Sequence, residues 1–188
     1  MAKVYLFLAE GFEEAEAMIP VDVMRRAGVD IKTVSVSGSA EVTAAHGVTM
    51  KADILFEDAD LAGADMLILP GGLPGATNLD SHKELKKALT AHAAAGKTVA
   101  AICAAPMVLG GLGLLKGKRA TCYPGFEKYM AGATYTRDLC TVDGNIITGE
   151  GPAAALPFAY TLLAQIAGEE TASQVADGMM YTHLMSRQ

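Results

Sequence analysis

Lys97-Thr98-Val99-Ala100-Ala101-Ile102-Cys103-Ala104-Ala105-Pro106-Met107-Val108-Leu109 is an apolar run that has to change direction at a single cysteine. Lys97 to Ile102 reads as a short buried strand that stops abruptly. Small residues follow, and Pro106 sits where a first helical turn begins, a position that tolerates its missing N–H and fixed φ. Cys103 therefore occupies a sharp strand-to-helix turn, like a nucleophile elbow, with helix-initial N–H groups facing the side chain. A thiol in that setting is expected to be favoured as thiolate. The same run also fits an inert core cysteine, the common fate of a free thiol.

Working outward, the pattern alternates strands with helices. Val4 to Ala9 is a continuous apolar strand, turned by Gly11-Phe12 into a helix from about Glu13 to Ala27 that Gly28 closes and Pro20 should disturb. Asp30 to Ser37 is a second strand. Glu41 to Glu57 suggests a small hairpin around Gly47 and an edge strand. Asp65 to Leu69 is again apolar, followed by Pro70-Gly71-Gly72-Leu73-Pro74-Gly75. Ser81 to Ala95 reads as a helix with a serine N-cap and Gly96 beyond its end. After the elbow come a short strand at Arg119–Cys122, a brief helix at Gly125–Met130, and two strands within Thr134–Ile147 joined at Asp143-Gly144-Asn145. A helix from about Ala154 to Ala167 and a last one from Glu169 to about Tyr181 complete the chain. Such alternation implies an α/β fold with a mostly parallel sheet covered on both faces, whose ligand site lies beyond the carboxyl ends of the strands.

Size and composition narrow the function. The chain has 188 residues, a hydrophobic content of 51% and a formal net charge of -6. It is expected to form one domain over residues 1–188. The acidic balance and the lack of a basic run argue against nucleic acid and anionic membrane as partners. No stretch is long enough to span a bilayer, and Val4–Ala9 runs into Glu10, Glu13 and Glu14, unlike a signal peptide, so a cytoplasmic location is expected. Cys103, Cys122 and Cys140 are the three cysteines. Their odd number and lack of a CxxC pair suggest neither a disulfide framework nor a structural zinc.

Three features should converge at one sheet edge: Cys103, Glu16 and the Gly71-Gly72 turn. At a 3.6-residue period Phe12, Glu16, Ile19 and Val23 share a stripe, so Glu16 is a carboxylate on the core-facing side. Desolvation favours its protonated form, and a carboxyl beside a thiolate supplies a nucleophile and a proton donor. The Gly71-Gly72 backbone and the Ala104 N–H are candidates to hold a developing oxyanion. Snorkelling of Glu16, or its pairing with Arg26, is the plainer alternative. Ala17, Val21 and Met24 form a second stripe, read as a hint of a subunit contact or as a surface covered by a neighbouring loop. His82 and His92 read as exposed helix residues, so a Cys-His dyad is unsupported. Gly149-Glu150-Gly151-Pro152-Ala153-Ala154 matches a dinucleotide loop only superficially, with a proline inside the turn.

Gly11-Phe12-Glu13-Glu14-Ala15-Glu16, Ile19-Pro20-Val21-Asp22-Val23-Met24-Arg25-Arg26-Ala27-Gly28, Leu69-Pro70-Gly71-Gly72, Ala100-Ala101-Ile102-Cys103-Ala104 and Gly151-Pro152 together resemble the ThiJ/PfpI superfamily, a class I glutamine amidotransferase-like group. Within it they are similar to the branch of YajL and the parkinsonism-associated protein deglycases. The resemblance implies a flavodoxin-like three-layer sandwich, usually a homodimer through the first helix, with Cys103 as reactive cysteine and Glu16 as its protonated partner. It also implies Gly72 and Ala104 as amides facing the cysteine and Arg26 on the site border. His46 falls roughly where some members carry an arginine, and Tyr123 stands before Pro124 where the branch often has histidine. Ala105 replaces a common glycine, and Glu150 an arginine or glutamine.

The activity implied is that of a glutathione-independent glyoxalase III-like lyase or a protein deglycase acting on small reactive aldehydes or their adducts, with no metal, nucleotide or other cofactor. An oxidative-stress sensor or redox-regulated chaperone using Cys103 oxidation is the alternative, because an accessible low-pKa thiol is both nucleophilic and oxidisable.

Overall fold

The computed structural model describes residues 2–187. In chain order the elements are β1 (Lys3–Leu8), α1 (Glu14–Arg26), β2 (Asp30–Ser35), β3 (Glu41–Thr43), β4 (Thr49–Lys51), β5 (Ile54–Leu55), β6 (Met66–Leu69), α2 (Gly75–Ser81), α3 (Lys83–Ala94), β7 (Thr98–Ile102) and α4 (Pro106–Gly111). They continue with β8 (Arg119–Ala120), β9 (Thr134–Tyr135), β10 (Cys140–Asp143), β11 (Ile146–Gly149), α5 (Ala155–Ala167), α6 (Glu169–Gly178) and α7 (Tyr181–Met185).

Seven strands form the central sheet in the order β10-β11-β7-β6-β1-β2-β5. Only the edge strand β10 runs antiparallel to its neighbour. Alternation along β1 shows how the layers are built. Val4, Leu6 and Leu8 face one core with Ala17, Val21 and Met24 of α1 and Phe158 of α5. Tyr5, Phe7 and Ala9 face the other with Leu79, Leu85, Leu89, Val108 and Leu109 from α2, α3 and α4. Because both faces are buried, the inner strands read as unbroken apolar runs rather than alternating ones. This is the expected α/β sandwich of flavodoxin-like form. No helix among the described residues is long and apolar enough to cross a membrane.

Several local expectations change. The Ala17 stripe is not a free surface: Ala17, Val21 and Met24 press against the sheet, while Val23 packs outward with Ala159, Tyr160 and Leu163 of α5 and Ala172 of α6. α1 thus needs two apolar stripes because the chain's own elements cover both. Pro20 does not end α1, which runs through it; the N–H it lacks would have bonded the Glu16 carbonyl one turn back. The helix expected from Ser81 to Ala95 starts at Lys83, and Ser81 instead ends a separate helix, α2. His82, not Ser81, caps α3, its Nδ1 accepting the Leu85 N–H at 3.0 Å. His82 is half-buried and His92 is buried, against the expectation of exposure. Thr134–Tyr135 pairs in parallel with β8 in a separate two-stranded sheet, so the hairpin at Asp143-Gly144-Asn145 begins only at Cys140. The last helix breaks at Met180, which adopts φ 63° before α7.

Candidate active site

β1, β6 and β7 are neighbours in the sheet, and the segments leaving their carboxyl ends meet. Cys103 follows β7 in the left-handed region at φ 63°, a conformation that costs a non-glycine residue about 1 kcal/mol and is held here by its surroundings. Its N–H donates to the Gly149 carbonyl at 3.0 Å, and its carbonyl accepts the Tyr123 N–H at 2.9 Å. Ala105 N–H closes back on Ile102 O at 3.0 Å, and Pro106 opens α4. The elbow is therefore pinned from both neighbouring loops. Its side chain is 8% exposed.

Glu16 is fully buried on α1, two helical positions inside its start. Its Oε2 accepts the Gly71 N–H at 2.8 Å, while Oε1 has no hydrogen-bond partner. The carboxyl lies beside the Cys103 thiol. Gly71 has to be glycine, since a Cβ there would sit 2.7 Å from Cys103 Cβ, 2.8 Å from Glu16 Oε2 and 2.9 Å from Ala104 N. The amides of Gly72 and Ala104 point toward the sulfur, but Gly71 does not join them. Its N–H is consumed by Glu16, which corrects its assignment as an oxyanion donor.

Charge is discouraged throughout this pocket. Burial pushes the Glu16 carboxyl up to about 7, against the opposing pull of the Cys103 and Gly71 hydrogen bonds. Burial first, and then the adjacent Glu16 carboxylate, push the thiol up to about 12, while the Gly72 and Ala104 amides favour the thiolate. A thiolate standing alone at neutral pH is thus not what this burial favours. Both shifts oppose charge, so burial favours keeping a proton on the carboxyl–thiol pair.

The remaining expected site residues are distributed more widely. His46, on the β3–β4 turn, donates its N–H to Glu14 Oε1 at 2.9 Å, and its Nδ1 lies 2.8 Å from Glu14 Oε2 and 3.7 Å from Glu13 Oε2. Glu13 reaches the site through its backbone, donating N–H to the Gly71 carbonyl at 3.0 Å. Sequence reasoning missed Glu13 and Glu14 as rim residues, although the Gly11-Phe12 turn beside them was the available signal. Glu13, Glu14 and His46 are also the one group among the described residues whose metal-ligand atoms fall within 4.8 Å of one another. Their mutual ion pairs already account for that arrangement.

Tyr123 is exposed and packs over Gly151, where a Cβ would come within 3.1 Å of its ring. A cavity of about 240 Å³ opens beside it, lined by Leu139, Glu150 and Pro152. Arg26 is not brought to Cys103 within the chain. It lies ten residues beyond Glu16, roughly 15 Å along the helix, and its Nε bonds Asp22 at 2.9 Å. The Glu16–Arg26 pair is therefore absent. Cys122 is buried in the opposite core layer from Cys103, and all three cysteines are free.

A family model described as DJ-1/PfpI family matches residues 2–165. The chain belongs to the DJ-1/PfpI family. Among DJ-1/PfpI relatives, protein DJ-1 homolog B of Arabidopsis thaliana is 42% identical over 176 residues, 93% of this chain and 40% of that protein. The chain thus spans about two fifths of that relative's length. The Parkinson disease protein 7 homolog of Danio rerio is 40% identical over 174 residues, 90% of this chain and 92% of that protein. A protein named as a deglycase in Pyrococcus abyssi is 32% identical over 154 residues, 80% of this chain and 90% of that protein. Among solved DJ-1 superfamily structures, a cysteine-to-alanine variant of STM1931 from Salmonella typhimurium superposes with a TM-score of 0.91 at 35% identity, covering 95% of this chain and 98% of that one.

Proposed function

We propose that the protein is a cofactor-free enzyme of reactive aldehydes, of glyoxalase or deglycase type, in which Cys103 and Glu16 act as one proton-sharing pair. The observation that carries this reading is the juxtaposition of a strained elbow thiol with a fully buried carboxyl whose Oε1 has no partner. A relative that carries the name deglycase supports it further.

With methylglyoxal as substrate, Cys103 Sγ attacks the aldehyde carbon as its proton passes to the Glu16 carboxylate. The C–S bond forms, and the carbonyl electron pair moves onto oxygen, facing the Gly72 and Ala104 amides. Glu16 returns the proton to that oxygen, giving a hemithioacetal. The carboxylate then removes the proton on the former aldehyde carbon to give an enediolate, the hydroxyl proton passes to the neighbouring oxygen, and Glu16 delivers the carbon-derived proton to the adjacent carbon, leaving a lactoyl thioester. Water hydrolyses the thioester, releasing lactate and the free thiol. The net change is addition of one water, with no external oxidant or reductant.

Lactate formation from methylglyoxal without glutathione tests the reading, with wild type, Cys103→Ala and Glu16→Gln prepared independently. Steady turnover lost in both variants is expected. Stoichiometric consumption of aldehyde without turnover overturns it. The second reading, a sensor that uses Cys103 oxidation, draws on the same unpartnered Oε1, which is free to hydrogen-bond an oxygen placed on sulfur. Absence of turnover together with facile conversion of Cys103 to sulfinate by peroxide favours it.

A further inference from the structure

We infer that the cavity at the end of α3, at the opposite edge of the sheet from Cys103, is a binding site for a small aliphatic carboxylate, with Lys97 and His92 as its polar contacts. The site is independent of the aldehyde reading. β7 runs from Thr98 to Ile102 between the two places, so Lys97 at one end and Cys103 at the other lie roughly 20 Å apart.

The cavity holds about 300 Å³, the lower end of the range that small-molecule sites occupy. Ala88, Ala91 and Ala95 line it along one face of α3 and its cap, and Leu61 faces them from the loop before β6. Their short side chains leave open the space that longer ones would fill. Two polar side chains share the cavity, and both have hydrogen-bonding capacity to spare. Lys97 Nζ donates to the Ala62 and Ala64 carbonyls at 2.7 Å each. An ammonium has three donors, so one N–H is left without a partner among the described residues. His92 is 5% exposed, and its Nε2 has no hydrogen-bond partner among the described residues. A buried polar atom without a partner is costly, and a ligand that supplies the partner recovers that cost. Burial holds the His92 ring toward its neutral form; the Asp65 backbone opposes this, and the Lys97 charge adds to it. A neutral imidazole still has one N–H to donate. The frame is fixed, because Asn145 Nδ2 donates to the Ala93 carbonyl at 3.0 Å and the Lys97 carbonyl at 2.9 Å.

These contacts define the ligand. One cation among apolar walls matches a single negative charge on an aliphatic body. One carboxylate oxygen accepts the free Lys97 N–H as a charge-assisted bond, and the other accepts from His92. A phosphate dianion would bring more charge and more acceptor sites than two donors satisfy. The acidic side chains nearby do not take the place of the ligand. Asp60 feels the Lys97 charge but pairs with Lys3 at 2.9 Å, and Asp65 accepts the Lys3 N–H at 2.9 Å.

Butyrate is the probe, compared with butyramide, which has the same shape and no charge, and with inorganic phosphate. The wild-type protein is titrated at constant ionic strength and pH, and the ring signals of its four histidines are followed by NMR. Substituting His46, His82 and His183 in turn assigns the remaining signals to His92. Butyrate is expected to shift the His92 signals saturably, with a Kd on the order of 1 mM, as so small a ligand allows. Butyramide and phosphate are expected to bind at least about tenfold more weakly. Ala91→Leu, at an exposed position of α3 that accepts leucine, fills the cavity and should weaken butyrate by about tenfold or more. No saturable shift at concentrations well above the expected Kd overturns the inference. Equal binding of butyramide overturns it too, since Lys97 would then have no role. So does butyrate binding that Ala91→Leu leaves unchanged, which would put the ligand elsewhere. None of these substitutions touches Cys103 or Glu16, so the outcome stands apart from that of the lactate assay.

Discussion

Gly71 N–H donates to Glu16 Oε2 at 2.8 Å, and this bond holds the buried carboxyl beside the Cys103 thiol. It fixes one oxygen and leaves the other, Oε1, without a hydrogen-bond partner. It also aligns α1 with the turn after β6, because Glu13 N–H returns to the Gly71 carbonyl at 3.0 Å. One glycine thus clamps the helix start from both sides of its own peptide.

Gly71→Ala should disable the site. The added methyl would lie under 3.0 Å from Cys103 Cβ, Glu16 Oε2 and Ala104 N, and two of those atoms are on or beside the rigid elbow. The expected cost is about 1–3 kcal/mol of stability, with at least a tenfold fall in Cys103 alkylation rate. Chemical denaturation and iodoacetamide kinetics measure the two effects separately.

The pH dependence of Cys103 reactivity should report the pair. With Glu16 raised to about 7, the first proton leaves the pair near neutrality, and the one-proton form supplies the base that frees the thiol. Alkylation should therefore rise through about pH 7 in wild type. In Glu16→Gln that inflection should vanish, leaving only the ionisation of the thiol itself. A profile unchanged by the substitution would contradict the coupling.

Glu16→Gln should at the same time stabilise the fold at alkaline pH. The unfolded carboxyl titrates near its ordinary value of 4.5 and the folded one at about 7. Below 4.5 it is neutral in both states; between those values stability falls as pH rises, and above 7 the full cost is present. At about 1.4 kcal/mol per pH unit this totals about 3 kcal/mol. Glutamine escapes it, so thermal unfolding at pH 8 should shift upward by roughly 5–10 °C, with little difference at pH 4.5.

His82 gives a test far from the pocket. Its Nδ1 caps α3 through the Leu85 N–H, and its ring packs on Phe56 with centroids 4.5 Å apart. His82→Ala should cost about 1 kcal/mol or slightly more, and His82→Asn should recover the cap portion. Equal unfolding midpoints for the two variants would show that the cap contributes nothing.

Much of the site was legible because its signals are local. An apolar strand ending just before Cys103, a proline at the first turn and a carboxylate five residues after Gly11 all survive folding in place. Fold class was legible for the same reason, since buried parallel strands are unbroken apolar runs. What periodicity could not resolve was which of two stripes on α1 faces the sheet, because both are apolar and both are covered. Nor could it separate Ser81 from His82 as a cap, since the side chain that accepts the bond depends on where the α2–α3 break falls. Gly71 was misassigned because a backbone amide has one proton, and only the folded chain shows that Glu16 takes it.

The sheet order has a bearing on how the chain matures. Glu16 and Gly71 are 55 residues apart, and Cys103 follows a third strand; they meet only when β1, β6 and β7 lie side by side. The meeting of Glu16 and Cys103 is therefore a property of the finished sheet. In a nascent or misfolded chain no carboxyl lies beside Cys103, so the burial of that thiol against Glu16 marks the closing of the fold's centre.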